Sequence, residues 1–257
     1  MEFRPCIDIH NGKVKQIVGS TLKDADDFAE ENFVSEKDAA YYAGLYKDYK
    51  LTGGHVIILN GKDSPFYEAT RREALNALAA YPGGLMIGGG VTDENAASYI
   101  ASGASHVIVT SFVFKDGIIN MDNLKSLVKA VGREHITLDL SCKKADGIYR
   151  VVTDRWQKFT DVELNDDLFD LLSQYCDEFL VHAVDSEGKS LGIDEKIIEI
   201  LSKCEHTITY AGGIASYEDI NKLNKLGEGK VHFTVGSHLD IFGGDLKLGE
   251  IIKCTRS

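Results

Sequence analysis

Short runs of aliphatic and β-branched residues recur along the chain, and the segments between them carry apolar residues every three or four positions. The runs predict strands at residues 3–9, 55–59, 85–87, 106–109, 135–140, 179–184, 207–211 and 231–235. The amphipathic segments predict helices at residues 36–49, 68–80, 93–101, 121–130, 166–176, 194–204, 217–226 and 246–254. Regular alternation of strand and helix is typical of a parallel sheet, and eight such units favour a closed (β/α)8 barrel, the TIM barrel fold.

A glycine pair follows the third and the seventh predicted strand. It occurs as Gly89-Gly90 in the first half of the chain and as Gly212-Gly213 in the second half, 123 residues later. Because this offset is close to half of 257 residues, it predicts a single barrel domain, 1–257, made of two similar half-barrels of about residues 1–130 and 131–257. A Rossmann-like open sheet is the alternative, but the dinucleotide spacing G-x-G-x-x-G is absent.

Two strand-to-helix connections are unusually long, residues 10–35 and residues 141–165. They follow the first and the fifth predicted strands, so they too are related by half a chain. The second connection contains the only tryptophan, Trp156. In a barrel these connections lie on the rim at the carboxyl ends of the strands, where substrate-binding loops collect, and we therefore expect them to be functional.

Composition limits the class of protein. With 44% hydrophobic residues, 26% charged residues and only three prolines, the chain is expected to be globular. The formal charge of −12 disfavours nucleic acid and anionic membranes as partners and favours a small-molecule ligand. No apolar run reaches the roughly 18 residues of a membrane span and no signal peptide precedes the first strand, which predicts a cytoplasmic protein. The five cysteines form no C-x-x-C pair, which indicates reduced thiols.

The two glycine pairs end predicted strands, where glycine lets backbone N–H groups turn toward an anion. The next strand in each half ends in hydroxyl residues that add donors. A single glycine pair is more often just a tight turn, but two copies in register predict two phosphate sites on opposite sides of the barrel mouth. The predicted phosphate-binding residues are Gly89, Gly90, Thr110, Ser111, Gly212, Gly213, Gly236 and Ser237.

Two aspartates occupy matching positions on the first and the fifth strand. Asp8 and Asp139 are each flanked by aliphatic residues on a strand predicted to be buried, and they lie 131 residues apart. A buried carboxylate needs a partner or a chemical role because an unpaired one costs several kcal/mol. Structural salt bridges are one interpretation. The other makes the pair a general acid and a general base that face each other between the phosphate sites.

A third polar cluster, His182, Asp185 and Glu187, ends the sixth predicted strand. His182 is either an interior hydrogen-bonded histidine or a catalytic one. Asp185 and Glu187 either cap the following turn or assist the acid step. No metal site is predicted, because the eight histidines show no ligand spacing such as H-x-x-x-H.

Several segments together resemble the isomerase family of histidine biosynthesis that converts phosphoribosylformimino-5-aminoimidazole carboxamide ribotide from its aminoaldose to its aminoketose form. The resemblance covers essentially the whole chain, and the residues of these segments are most similar to the branch of the family found in fungi and plants. The segments that carry it are Cys6–Gly19, Gly88–Gly90, Leu138–Cys142, Trp156-Gln157, Ala211–Gly213 and Val235–Gly244.

The resemblance implies a duplicated (β/α)8 enzyme with a bisphosphorylated ribotide across the barrel mouth and no cofactor, since the substrate nitrogen acts as the electron sink. It implies that Asp8 is the base and Asp139 the acid, and that Trp156 stacks on the aminoimidazole ring. Gly19, His182 and Asp185 are further expected contacts of the substrate. Internal duplication also lets a monomer satisfy the twofold pattern, so a monomer is predicted.

The chain departs from many bacterial members of this family at two places. Ala183 stands where they have a threonine, so His182, Asp185 or Glu187 is expected to take over that role, and the acid is Asp139, Asp185 or Glu187. Ser237 stands where bacterial relatives often have a basic residue.

Two other functions remain open. One is the sister cyclase of the same pathway, which uses ammonia from a glutaminase partner. The sequence of the first strand disfavours it, but the cyclase family typically has a lysine close after its first catalytic aspartate, and Lys13 keeps this alternative open. The other is a non-catalytic protein that binds phosphorylated sugars. A matched pair of aspartates disfavours the second, because binding alone has no need of it.

Overall fold

The computed structural model of the protein describes residues 1–17, 30–154, 156–186 and 192–255. Eight strands and eight helices alternate along this part of the chain, as the hydrophobic pattern predicts. The strands are Cys6–His10 (β1), Gly54–Ile58 (β2), Leu85–Gly88 (β3), Val107–Val109 (β4), Ile136–Asp139 (β5), Glu178–His182 (β6), Thr207–Ala211 (β7) and His232–Phe233 (β8). The helices are Ala39–Asp48 (α1), Tyr67–Ala80 (α2), Ala96–Ala101 (α3), Met121–Val131 (α4), Asp166–Leu172 (α5), Glu195–Leu201 (α6), Tyr217–Leu226 (α7) and Leu248–Thr255 (α8).

Each of these strands pairs in parallel with its neighbours in chain order, from β1 to β8. The sheet then closes on itself at the start of the chain. Phe3 forms a parallel bridge with Phe233, and the Arg4 amide donates to the Phe233 carbonyl at 2.8 Å. The closed sheet confirms the predicted barrel and excludes the open Rossmann-like alternative.

The core has two layers that follow from the alternation of side chains along each strand. The larger layer lies between the sheet and the helices and includes the neighbouring residues Ile87 and Val107. The smaller layer fills the middle of the barrel and consists of Met86, Ile108, Leu180 and Ala211, with Ile57 packed against them. Polar groups are therefore left to the two ends of the barrel interior.

At the amino-terminal end of the barrel, Arg4 forms a buried ion pair with Glu178 and donates to the Thr209 hydroxyl at 3.2 Å. Both charged side chains are at least nine-tenths buried. Because each would be costly to bury alone, the pair fixes the first strand against the sixth and seventh strands.

The two long connections are not simple loops. In the first, Lys13–Ile17 and Glu31–Val34 form antiparallel strands that extend the sheet beyond β1. In the second, Cys142–Ala145, Ile148–Thr153 and Lys158–Glu163 form a separate three-stranded antiparallel sheet. The pattern gave no sign of the strand Lys13–Ile17 because its buried residues include the polar Lys15 and Gln16.

No helix within the described ranges is long and apolar enough to cross a lipid bilayer.

Candidate active site

A groove runs across the barrel at the carboxyl ends of the strands. It consists of two cavities of about 240 Å³ and about 580 Å³. Both are lined by Ile57, Leu59, Asp139 and Trp156, so they adjoin one another. The smaller cavity is also lined by Asp8, Gly212, Gly236 and Ser237, and the larger by Gly89, Gly90, Thr110 and Ser111. The barrel thus brings most of the predicted site residues into one groove, with one glycine turn at each end.

The two glycine turns have nearly the same backbone conformation. Gly89 and Gly90 have φ angles of +102° and +68°, and Gly212 and Gly213 have +114° and +74°. A Cβ on Gly89 would lie 2.1 Å from the carbonyl oxygen of Ile58, and one on Gly212 would lie 2.8 Å from that of Ala183. Since Ile58 and Ala183 both stand at the end of the preceding strand, glycine is required for the same reason in both halves of the barrel.

Asp139 ends β5 where the two cavities meet, and its carboxylate is held by three neighbours. Its oxygens accept from the Thr110 hydroxyl at 3.1 Å and from the Ser141 hydroxyl at 2.8 Å. His182 Nδ1 lies 3.6 Å from Oδ1. Burial would raise the pKa of Asp139, but hydrogen bonding and charge from His182, together with the two hydroxyls, outweigh burial and lower the pKa. Asp139 is therefore a carboxylate in the ligand-free protein.

Two further titratable groups line the smaller cavity. Asp8 projects from β1 into it, and His55 lies on β2 beside it. Burial, followed by the nearby charge of His182, lowers the pKa of His55 to about 3. His55 is thus a neutral group at physiological pH.

Trp156 lies at the junction of the two cavities, in the turn between two strands of the antiparallel sheet. Its ring centroid is 5.9 Å from that of His182, with the rings tilted by 43°. Its carbonyl accepts from Lys143 Nζ at 2.8 Å, and its own φ is +67°. The only tryptophan of the chain is thus held in an uncommon backbone conformation beside the predicted reaction centre.

Some predicted residues lie elsewhere. Asp185 is exposed, is not part of the groove lining, and accepts from the Lys144 amide at 2.9 Å, which ties the end of the sixth barrel strand to the antiparallel sheet. Gly213 stands just behind the lining, where its Cβ would meet the carbonyl oxygen of Gly192 at 2.1 Å. Gly19 and Glu187 fall outside the described residues.

Comparison with known proteins agrees with this geometry. The sequence model of the family described as "Histidine biosynthesis protein" matches residues 2–245. The chain belongs to this family. Membership of the histidine biosynthesis protein family confirms the resemblance drawn from the sequence motifs.

Named relatives within this family are similar over nearly the whole length of this chain. A chloroplastic protein from Medicago truncatula is 54% identical over 257 residues, which cover 98% of this chain and 81% of the relative. Proteins from Neurospora crassa and Saccharomyces cerevisiae are each 44% identical, covering 94% and 95% of this chain and 93% and 94% of the relatives. All three relatives are named as isomerases of 1-(5-phosphoribosyl)-5-((5-phosphoribosylamino)methylideneamino)imidazole-4-carboxamide.

The polar groove residues that sequence reasoning missed in this histidine biosynthesis protein include Gln16, His55, Ser141 and Thr234. Ser141 was visible as the hydroxyl residue two positions after Asp139. The others are polar residues buried by tertiary packing, which no local pattern reports.

One further cluster lies far from the groove, at the amino-terminal ends of β4 and β6. His106, Asp177 and Glu178 each place one possible ligand atom within 4.8 Å of the others. Glu178 is already ion-paired with Arg4, and His106 Nε2 lies 3.1 Å from Asp177. These contacts explain the cluster without a metal.

Proposed function

We propose that this protein is an aldose–ketose isomerase, an intramolecular oxidoreductase, that converts the aminoaldose form of phosphoribosylformimino-5-aminoimidazole carboxamide ribotide into its aminoketose. The observation that carries the proposal is the position of two carboxylates, Asp8 and Asp139, in one groove between two matching glycine turns. The names of the three relatives support the same reaction.

In the proposed reaction an acid protonates the ribose ring oxygen, the bond from that oxygen to C1′ breaks, and the aldose opens to an imine. Asp8 then removes the proton from C2′, and the electron pair moves onto the imine to give an enolamine. Tautomerisation of the enolamine gives the ketose, so no external oxidant or cofactor is needed. The two carbons exchange oxidation states within one molecule, which requires only the placement of an acid and a base.

The acid step uses Asp139 together with His182. Because the pKa of Asp139 is lowered, the carboxyl group does not store the proton by itself. His182 Nδ1, 3.6 Å from Oδ1, holds the proton, and Asp139 relays it to the ring oxygen. Asp185 is less suited to this role because it lies outside the groove lining and already accepts from a backbone amide.

The two glycine turns bind the two phosphates of the substrate. At one end, Gly89, Gly90, Thr110 and Ser111 supply backbone N–H and hydroxyl donors; at the other, Gly212, Gly213, Gly236 and Ser237 do so. Trp156 covers the middle of the groove, where it stacks on the aminoimidazole ring and excludes water. Gly19 is a further proposed contact.

We further propose that the whole molecule is one barrel domain of two half-barrels, about 1–130 and 131–257. It acts as a cytoplasmic monomer, and its ligand is a small molecule and not nucleic acid. Light scattering after size-exclusion chromatography tests the monomer. Fluorescence imaging of a tagged protein tests the location, for which the chloroplastic relative offers the contrasting outcome.

The decisive experiment supplies the aminoaldose without ammonia and follows the absorbance change on isomerisation. We expect turnover by the wild-type protein and a loss of about 10³-fold or more in kcat for Asp8→Asn with little change in substrate affinity. Asp185→Asn is the matched control and is expected to retain kcat within about threefold.

Other outcomes identify the alternatives. Turnover that appears only with ammonia and the aminoketose would make the protein a cyclase. Tight substrate binding without turnover in any condition would make it a binding protein. Unchanged turnover in Asp8→Asn would remove the proposed base.

A further inference from the structure

The smaller cavity contains two buried donors that the proposed reaction leaves unused. Gln16 is only 4% exposed and Thr234 only 7%, and both line the cavity beside Gly236. Gln16 Nε2 and the Thr234 hydroxyl have no hydrogen-bond partner among the residues that the structure describes. Buried polar groups are normally satisfied, so two unsatisfied donors in one cavity indicate a ligand that accepts from them.

The side-chain amide of Gln16 lies against Gly236, which lines the same cavity. A Cβ on Gly236 would lie 2.4 Å from Gln16 Oε1, so the amide rests on the backbone of Gly236. Rotation of the amide group by 180° exchanges Oε1 and Nε2 with little change in shape. The side chain can therefore present its N–H to a ligand beside Gly236. Gly236 thus both exposes its own backbone and makes room for the glutamine.

The charges of the two cavities explain why such a donor is needed here. The larger cavity is lined by Lys62 and Lys158. The described lining of the smaller cavity contains no lysine or arginine, and His55 is neutral. His182, the other histidine of that lining, faces Asp139, so a phosphate in the smaller cavity must be held mainly by neutral donors.

We propose that Gln16 is a phosphate-binding residue, whose side-chain amide donates to the phosphate held by Gly212, Gly236 and Ser237. The proposal deepens the isomerase function and rests on it for the identity of the ligand. Gln16 is supplied by the strand Lys13–Ile17, which extends the sheet beyond β1. The first long connection thereby contributes a substrate-binding residue to the site.

The test compares Gln16→Met, which keeps the length of the side chain and removes the donor, with two other variants. Ser111→Ala removes a donor from the opposite phosphate site. Lys15→Met changes the residue before Gln16 in the same strand and breaks its ion pair with Glu31 of the neighbouring strand, but it does not alter the cavity lining, so it reports any effect of a displaced strand. Each variant is characterised by steady-state kinetics with the aminoaldose and by thermal unfolding.

We expect Gln16→Met to raise KM about tenfold, as loss of one hydrogen bond to a charged group predicts, with kcat within about twofold and no loss of thermal stability. Lys15→Met is expected to keep KM within about threefold. An unchanged KM in Gln16→Met, or a raised KM accompanied by an equal rise in Lys15→Met, would overturn the proposal.

A second measurement does not depend on turnover. In a ³¹P NMR titration with inorganic phosphate, we expect Gln16→Met to weaken one bound signal, Ser111→Ala to weaken the other, and the double variant to weaken both. This titration decides on Gln16 even if the wild-type protein fails to isomerise the aminoaldose. Equal effects of Gln16→Met and Ser111→Ala on a single signal would contradict the assignment.

Discussion

Alanine substitutions at Gly89 and Gly90, in the first glycine turn, should lower the free energy of unfolding by different amounts, because the two residues differ in φ and in the space around a Cβ. Gly90 has a φ of +68°, within the left-handed region, and a Cβ there would have no neighbour within 4 Å. Gly89 has a φ of +102°, also in the region that favours glycine but further from the left-handed helical minimum, and its Cβ would lie 2.1 Å from the carbonyl oxygen of Ile58. The first substitution therefore adds only conformational strain, whereas the second also forces the end of a barrel strand to move.

The magnitudes follow from these two terms. For Gly90→Ala we expect a loss of about 1–2 kcal/mol in the free energy of unfolding from the left-handed conformation alone. For Gly89→Ala, strain and overpacking together give about 4 kcal/mol, which corresponds to roughly 8–16 °C in Tm for a chain of this size. Gly212→Ala should fall between them, because its Cβ would lie 2.8 Å from the nearest carbonyl oxygen.

Urea denaturation followed by circular dichroism measures the three free energies, and thermal unfolding gives the order of the Tm values. The same proteins separate stability from binding. The Cβ of Gly90→Ala stands in the open end of the groove, so this variant should raise KM while remaining folded. If Gly89→Ala lost no more stability than Gly90→Ala, close approach to the Ile58 carbonyl would not be the reason for the glycine.

Three further predictions concern the middle of the groove. Thr110→Val removes one hydroxyl donor from the Asp139 carboxylate and should raise the pKa of Asp139, measured by ¹³C NMR of the carboxyl carbon. An unchanged pKa would show that this hydrogen bond has no effect on the carboxylate. His55 has a folded-state pKa lowered to about 3, so the unfolded chain binds its proton first and stability falls as pH drops below about 6.5. Between pH 7 and pH 5 the wild-type protein should lose about 2 kcal/mol more than His55→Gln in urea denaturation, and equal losses would argue against a neutral buried His55. The intrinsic fluorescence of Trp156 should change when substrate binds, and Trp156→Phe should abolish this signal and raise KM. An unchanged fluorescence at saturating substrate would show that the indole ring does not contact the ligand.

The fold was largely predictable because a (β/α)8 barrel repeats one local pattern eight times. All eight barrel strands and all eight helices occur where periodicity places them. The ends were less predictable: the helix expected at residues 166–176 ends at Leu172, where the carbonyl group accepts from the Tyr175 amide in a turn. Helix ends depend on single hydrogen bonds and not on periodicity.

The long connections show why a sequence pattern does not predict a strand whose residues are buried by contacts with distant parts of the chain. Lys15 and Gln16 are adjacent in the strand, yet both are buried, by the barrel and by Glu31. Because the strand is packed on both faces, its residues do not alternate between apolar and polar. Internal duplication compensated for this at the site, since matching offsets in the two halves identified Asp8, Asp139 and the glycine turns. Gln16 has no such counterpart, and repetition could not reveal it.

The matching φ angles of the two glycine turns also have a kinetic consequence. A ligand with a phosphate at each end can enter such a groove in two opposite directions, and only one direction places its reacting carbons between Asp8 and the Asp139–His182 pair. Reversed binding is nonproductive: it lowers kcat and KM by the same factor and leaves kcat/KM unchanged. A phosphate meets Lys62 and Lys158 in either direction, so the difference in energy must come from groups that contact the unsymmetrical middle of the ligand. Trp156 lies there beside His182, and removal of its ring should increase the fraction of enzyme occupied by substrate bound in the reversed direction.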